Sequence, residues 1–245
     1  MTSSARSTAL VGLLAAAGNG TRLAAATGEA TPKQYLDLAG VPVIQRSLVA
    51  LAQVAGLTDL VVVLSARDER WPQLKLPAGL PTIHTVEGGA TRAASVASGL
   101  DFLAAHFPVE EQVQVLVHDA ARPLVRPASI DRLVAAVGEA RACGGILATM
   151  ATDTLKQASA GAIEKTLDRS CVWQAQTPQL FEVRELRAAI TAAQNAGIPL
   201  TDEASAMEYQ GQAPLVVPGD QDNIKITHAR DLALAEILLQ AQEST

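Results

Sequence analysis

Three short runs dominated by aliphatic and β-branched residues, Thr8 to Ala15 (TALVGLLA), Leu60 to Leu64 (LVVVL) and Val113 to His118 (VQVLVH), most narrow the folds open to this chain. Each has the length of a strand, and a strand that is apolar at successive positions must be covered on both faces. Between and after them stand helix-length stretches, about Pro42 to Ala55, Arg92 to His106 and Val183 to Ala196, with shorter strands expected at Thr82 to Val86 and Leu215 to Val217. This alternation predicts an α/β fold with a mostly parallel sheet and ligands at the carboxyl ends of its strands.

The chemistry-bearing residues fall at those ends. The first strand breaks into Leu14 to Arg22 (LAAAGNGTR), followed by Pro32-Lys33-Gln34. Gly18 and Gly20 let such a loop fold tightly with main-chain N–H groups outward, a cradle for phosphate. Arg22 and Lys33 set two cations at its rim, suited to charge building up on a departing pyrophosphate. A GxG alone can mark only a tight turn; neither the Gly-Lys-Ser/Thr phosphate loop nor a third dinucleotide-type glycine is present. Arg6 before the apolar run Ala9 to Ala17 also resembles a secretory leader. Cleavage there would remove the first strand, so a cytoplasmic protein is expected.

A chain of 245 residues can bury one sizeable core, so one domain spanning 1–245 is expected. A net charge of -6 argues against nucleic acid or an anionic membrane as partner, and no apolar run approaches the ~20 residues that cross a bilayer. Cys143 and Cys171 lack metal-ligand spacing and read as reduced thiols.

A second constellation is His118-Asp119-Ala120-Ala121-Arg122-Pro123. Asp119 could form a structural ion pair or hold Mg²⁺ over a triphosphate, with Arg122 facing another phosphate. In Gly88-Gly89-Ala90-Thr91-Arg92, the glycines permit close approach of a flat base that Ser95 could hydrogen-bond; a plain turn with Thr91 as N-cap fits the spacing equally. Ala151 to Thr166, around Ser159-Ala160-Gly161, reads as a hairpin with too little apolar surface to stand alone, to be ordered by a partner subunit, or as a solvated loop. Thr201 is suited to cap a helix, and Lys225, expected on a short strand, needs an anion beside it if buried. Asp222 is a weaker candidate as a second metal ligand.

In order, AAGxGxR, PKQY, GGxxRxxSVxxGL, HDAARP, DTxK, DR, TPQxF, TDEAS and DNIKIT resemble the 2-C-methyl-D-erythritol 4-phosphate cytidylyltransferases of the non-mevalonate isoprenoid pathway. The resemblance covers nearly the whole chain. It implies a Rossmann-like, mostly parallel twisted sheet with helices on both faces and a protruding β-arm, here at about 151–170, that dimerises. It implies transfer of CMP from CTP to 2-C-methyl-D-erythritol 4-phosphate, giving 4-diphosphocytidyl-2-C-methyl-D-erythritol and pyrophosphate, with Mg²⁺ or another divalent cation.

By matching position, the resemblance makes Arg22 and Lys33 the transition-state pair on the CTP phosphates, with Ala16, Ala17 and Gly18 beneath them. Gly89, Ala90 and Ser95 match the cytosine-reading segment, and Asp119 the residue beside the metal and the erythritol. Arg169, Thr201 and Lys225 match groups that position the acceptor; Thr177 lies in the matching TPQ motif and is assigned to the substrate. Thr154, Arg122 and Arg169 are implied to act across a homodimer interface, so that active sites are shared. Ala90 departs from the acidic residue of many relatives and Ala15 from a common proline, while the span from Arg22 to Lys33 is a few residues longer than in some. Alternatives are a ribitol 5-phosphate cytidylyltransferase, a sugar-nucleotide transferase using another base, and an inactive paralogue serving as a binding or regulatory subunit.

Overall fold

The computed structural model describes residues 8–18, 31–108 and 112–244. Arg22 and Gly20 therefore lie outside the described residues. Along the chain run β1 (Thr8–Ala15), β2 (Asp37–Leu38), β3 (Val41–Pro42), α1 (Val43–Ala52), β4 (Leu57–Leu64), β5 (Thr82–Glu87), α2 (Arg92–His106), β6 (Gln112–Asp119), α3 (Pro127–Ala140) and β7 (Gly144–Met150). Then come β8 (Lys156–Ser159), β9 (Ala162–Thr166), β10 (Trp173–Glu182), α4 (Val183–Asn195), α5 (Glu203–Tyr209), β11 (Leu215–Pro218) and α6 (Ala229–Glu243).

Among the described residues, seven strands form one sheet in the order β11-β7-β10-β6-β1-β4-β5. All neighbours run parallel except β10, which is antiparallel to both β6 and β7. The alternation of side chains along a strand explains why the core strands are apolar throughout. Val11 and Leu13 of β1, with Val61 and Val63 of β4, face Val96, Leu100 and Leu103 of α2 and Leu186 and Ile190 of α4. Leu10 and Leu14, with Leu60 and Val62, face Ile44, Leu48 and Leu51 of α1 and Leu133 of α3 on the other side. A smaller cluster seats α6, through Ala235 and Leu239, on Leu38, Val43, Leu124 and Ile226.

From β1 the sheet grows through β4 to β5 in one direction, then β6 is added on β1's other flank. Strand order thus reverses between β1 and β6, where the loops leaving two neighbouring strands part and open a crevice. β1 ends there at Ala15 and β6 at Asp119, which are directly paired in register.

Several expectations need correction. Lys225 lies on no strand; its segment is held by a main-chain bond from Ile226 N to Ala121 O at 2.8 Å. The cap of α5 is Asp202, not Thr201: the Asp202 carboxylate accepts from Ser205 N at 2.9 Å, while Ser205 Oγ accepts from Asp202 N at 3.3 Å. Aspartate satisfies the first-turn N–H and Ser205 returns the bond, a reciprocal box that leaves Thr201 one residue outside the helix. The stretch Trp173 to Gln179, given no element by its polar sequence, lies in the antiparallel strand β10. The excursion at Ala151 to Thr166 is a hairpin, with Ala160 and Gly161 both at positive φ, 48° and 83°. Two such residues in the loop match the right-handed twist of the flanking strands.

Candidate active site

Where the strand order reverses, the carboxyl edge of the sheet opens into a cavity of about 550 Å³. Its floor comes from Ala15 to Gly18, its sides from Lys33-Gln34, Gly88 to Arg92 with Ser95, and Asp119 to Ala121, and Lys225 joins from the C-terminal segment. Sequence-distant candidates Ala16, Ala17, Gly18, Lys33, Gly89, Ala90, Ser95, Asp119 and Lys225 are thereby brought together.

The glycine loop is fastened by a residue that the motifs leave without a role. Gln34, buried beside Lys33, donates from Nε2 to Ala16 O at 2.8 Å and Gly18 O at 2.9 Å. The amide commits both its N–H groups to that loop, and Lys33, adjacent in sequence, lines the same cavity. On the opposite wall a β-carbon at Gly88 would sit 2.5 Å from the Ala17 Cβ, and one at Gly89 would sit 2.6 Å from the Ala94 Cβ. Glycine at 88 lets the two loops approach so closely, and glycine at 89 lets the turn fold tightly onto the first turn of α2. Thr91 caps α2, its hydroxyl accepting from Ala94 N at 3.1 Å. The Ser95 hydroxyl lies 2.9 Å from Thr91 O and 3.2 Å from Gly89 O.

Asp119 is the electrostatic centre. Its Oδ1 accepts from Arg92 Nε at 2.8 Å and its Oδ2 from Lys225 Nζ at 2.6 Å. Burial would push this carboxyl up, but Arg92 and Lys225 outweigh it and hold the group well below the usual carboxylate range. Arg92 in turn donates from Nη1 and Nη2 to Oε1 and Oε2 of Glu203, at 2.6 and 3.0 Å. Burial pushes the Glu203 carboxyl up, against the pull of Arg92. For Arg92 itself burial opposes the charge, and Glu203 and Asp119 overcome it and strengthen it. The sequence signal for this pair existed, Arg92 within GGxxRxxS and Glu203 within TDEAS, but nothing in either motif says that the two meet.

Behind Asp119 lies a neutral relay. His118 Nε2 is 3.0 Å from Arg122 O, which requires a proton on that nitrogen, so Nδ1 accepts from the Thr177 hydroxyl at 2.9 Å. Thr177 Oγ1 accepts from Asp119 N at 3.1 Å. Burial drives the His118 pKa down to about 4. Thr177 thus supports the Asp119 backbone from beneath and is not among the residues lining the cavity.

The remaining candidates stand elsewhere in this chain. Arg122 donates through Nη1 to Asn223 O at 2.7 Å, and Asp119 pairs with Arg92 and Lys225 in its stead. Arg169 is exposed and its Nη1 donates to Thr152 O; Thr154 and Thr201 are exposed as well. None of these four lines the cavity. Asp222 accepts from Arg126 Nη2 at 2.5 Å and from Gln242 Nε2 at 2.8 Å, and it borders a separate depression with Ile224 and Leu238.

Comparison with known proteins decides the family. The sequence model of the 2-C-methyl-D-erythritol 4-phosphate cytidylyltransferases matches residues 10–241. The chain belongs to this family. The enzyme of that name from Halorhodospira halophila is 44% identical over 235 residues, covering 95% of this chain and 94% of that protein. The one from Chromobacterium violaceum is 42% identical, covering 96% and 99%. Among solved structures, 2-C-methyl-D-erythritol 4-phosphate cytidylyltransferase from Thermus thermophilus superposes with a TM-score of 0.73 at 31% identity, over 95% of this chain and 99% of the other. A crystal structure of 4-diphosphocytidyl-2C-methyl-D-erythritol synthase reaches 0.79 at 35% identity, over 95% and 99%.

As a member of this cytidylyltransferase family, the chain is a nucleotidyltransferase of isoprenoid precursor biosynthesis, transferring CMP from CTP to 2-C-methyl-D-erythritol 4-phosphate with release of pyrophosphate. Among the described residues, no helix is long and apolar enough to cross a membrane.

Proposed function

We propose that the cavity at the β1/β6 crevice is the cytidylyl-transfer site, with Arg22, Lys33, Arg169 and Lys225 as its catalytic cations. The observation that carries this reading is the meeting of the glycine loop, Lys33, the Gly88-Gly89 turn, Asp119 and Lys225 around one cavity. The nucleotide lies with its triphosphate over Ala16 to Gly18 and its base against Gly89, Ala90 and Ser95. The acceptor's phosphomonoester, with a second pKa near ~6, is already largely dianionic at neutral pH and needs no base to attack the α-phosphorus. Lys225 and Arg169 align it, Thr201 and Thr154 border the acceptor, and Arg22 and Lys33 meet the charge that grows on pyrophosphate.

Mg²⁺ fits the donors available. Asp119 offers one ionised carboxylate at the cavity wall, and a hard cation of this size takes one or two carboxylates and completes its shell with phosphate oxygens and water. Bound there, it would supply charge neutralisation of the triphosphate. Lys225, only partly exposed and 2.6 Å from Asp119, must then exchange this carboxylate for the acceptor phosphate.

The chain acts as one domain with an arm at about 151–170, and the arm joins two copies into a homodimer whose sites each receive Thr154, Arg122 and Arg169 from the neighbour. The exposure of Arg169 and Thr154, away from their own chain's cavity, supports this. Mixing an Arg22→Ala chain with an Arg169→Ala chain tests it, because one site of the mixed dimer then carries both lesions and the other none. Pyrophosphate release should reappear on subunit exchange. Proven exchange with no recovered activity overturns the shared site.

A further inference from the structure

At the end of the sheet opposite the cavity lies a cluster that the transfer reaction does not use. Asp59 stands near the start of β4, His84 near the start of β5, and His106 is the last residue of α2. One ligand atom from each lies within 4.8 Å of the other two. His84 Nε2 and Asp59 Oδ1 are 3.0 Å apart. The His84 and His106 ring centroids are 4.8 Å apart, and Phe102, one turn earlier on α2, stacks on His106 at 5.4 Å with 17° between the planes.

We propose that Asp59, His84 and His106 form a binding site for a single divalent transition-metal ion of the zinc class. Zinc holds imidazole nitrogens and carboxylate oxygens at about 2.0–2.2 Å in a tetrahedron, so neighbouring ligand atoms stand about 3.3 Å apart. The hydrogen bond between Asp59 and His84 holds their ligand atoms at 3.0 Å, close to that spacing, and the ion would replace its proton. His106, exposed at the helix end and stacked on Phe102, closes the remaining distance by side-chain rotation. Two imidazoles with one carboxylate favour zinc, cobalt or nickel over magnesium, which prefers oxygen throughout. Three protein ligands leave a fourth position open to water.

The ion would act as a clip. β5 leads into the Gly88-Gly89 turn and α2 leads out of it, and β5 is an edge strand of the sheet. Joining His84 to His106 ties the far ends of these two elements and Asp59 ties both to β4, holding the strand and helix that carry the turn at the cavity.

Cobalt(II) titration of chelator-stripped protein, in excess Mg²⁺ to saturate oxygen sites, tests the proposal through the visible absorption of the bound ion. Wild type should saturate at one equivalent with the intense band of a four- or five-coordinate site, and zinc should displace it. His106→Ala, whose side chain is exposed, should keep the wild-type metal-free unfolding midpoint yet bind cobalt tenfold or more weakly, at least the loss that follows removal of a group that only supports a ligand. Asp59→Asn should weaken binding likewise. Cobalt titrations indistinguishable between wild type and His106→Ala, or no saturable band in wild type, would overturn the site and leave the His84–Asp59 hydrogen bond and the aromatic contacts as packing alone.

Discussion

The charge cluster around Asp119 and the β8–β9 arm are both polar, but they are built in opposite ways. In the cluster, Asp119 is 7% exposed and Glu203 2%, and its pairs join residues far apart in sequence, Arg92 with Glu203 and Asp119 with Lys225. In the arm every residue of both strands is exposed, and its side-chain bonds are local, Lys156 Nζ to Thr166 Oγ1 at 2.7 Å and Gln157 Nε2 to Glu164 Oε2 at 2.9 Å. Buried charge survives only when each member is paired, so the cluster is fixed by the fold. A two-stranded hairpin that buries little is marginal in water, and on the proposed dimer it is a second copy that orders the arm. Polar composition is thus compatible with the most and the least anchored parts of one molecule.

The largest effect bearing on this contrast is on stability. Glu203→Ala strips Arg92 of its bidentate partner and should cost about 3 kcal/mol, the scale of breaking a buried pair from one side. Urea unfolding measures it; a loss no greater than that of an exposed surface substitution would mean that solvent screens the cluster. Next comes catalysis. Lys33→Ala, and Arg22→Ala on the same reading, should lower kcat by about 10²-fold or more while the fold is kept. If only the KM for CTP rises, these cations bind the nucleotide without favouring its transition state.

A smaller effect comes from the relay beneath Asp119. The unfolded chain protonates His118 as pH falls through about 6.5, whereas the folded chain resists until about 4. The unfolded state therefore binds more protons in that window, and stability is lost as pH falls. Between pH 7 and pH 5 this amounts to about 2 kcal/mol. His118→Gln should remove that slope, even if it lowers stability at both values; an unaltered slope would show that His118 is not held neutral. The smallest effect on the fold is expected in the arm. Ile163 is 66% exposed. Ile163→Asp should leave the urea midpoint within the about 0.5 kcal/mol typical of surface changes, yet shift sedimentation from dimer towards monomer. Loss of fold stability without change in association would place the arm with the cluster.

Much of this architecture was written locally. Continuous apolar runs required a sheet covered on both faces, and the limits of α2 and of the hairpin turn followed from Thr91 and from Ala160-Gly161. The same is true of Asp119 at a strand end, because strand termini are short-range properties of the chain. The cap of α5 lies one residue beyond its sequence-based position, since Thr201 and Asp202 are both able to cap and only the approach of Ser205 decided between them. β10 was hidden because its polar residues find long-range partners: Gln176 bonds Asp220 O and Gln179 bonds Asp202.

Tertiary structure alone decided which charges meet. Arg92 follows the base-side turn in sequence but pairs with Asp119 and Glu203, and Arg122, close to Asp119 in the motif, turns to the Asn223 carbonyl. The gathering of Asp59, His84 and His106 was equally invisible, since no spacing along one element unites them. Backbone conformation and burial are set by near neighbours and periodicity, whereas the partner of a charge depends on which distant strand ends and helix starts the sheet order carries to the same edge.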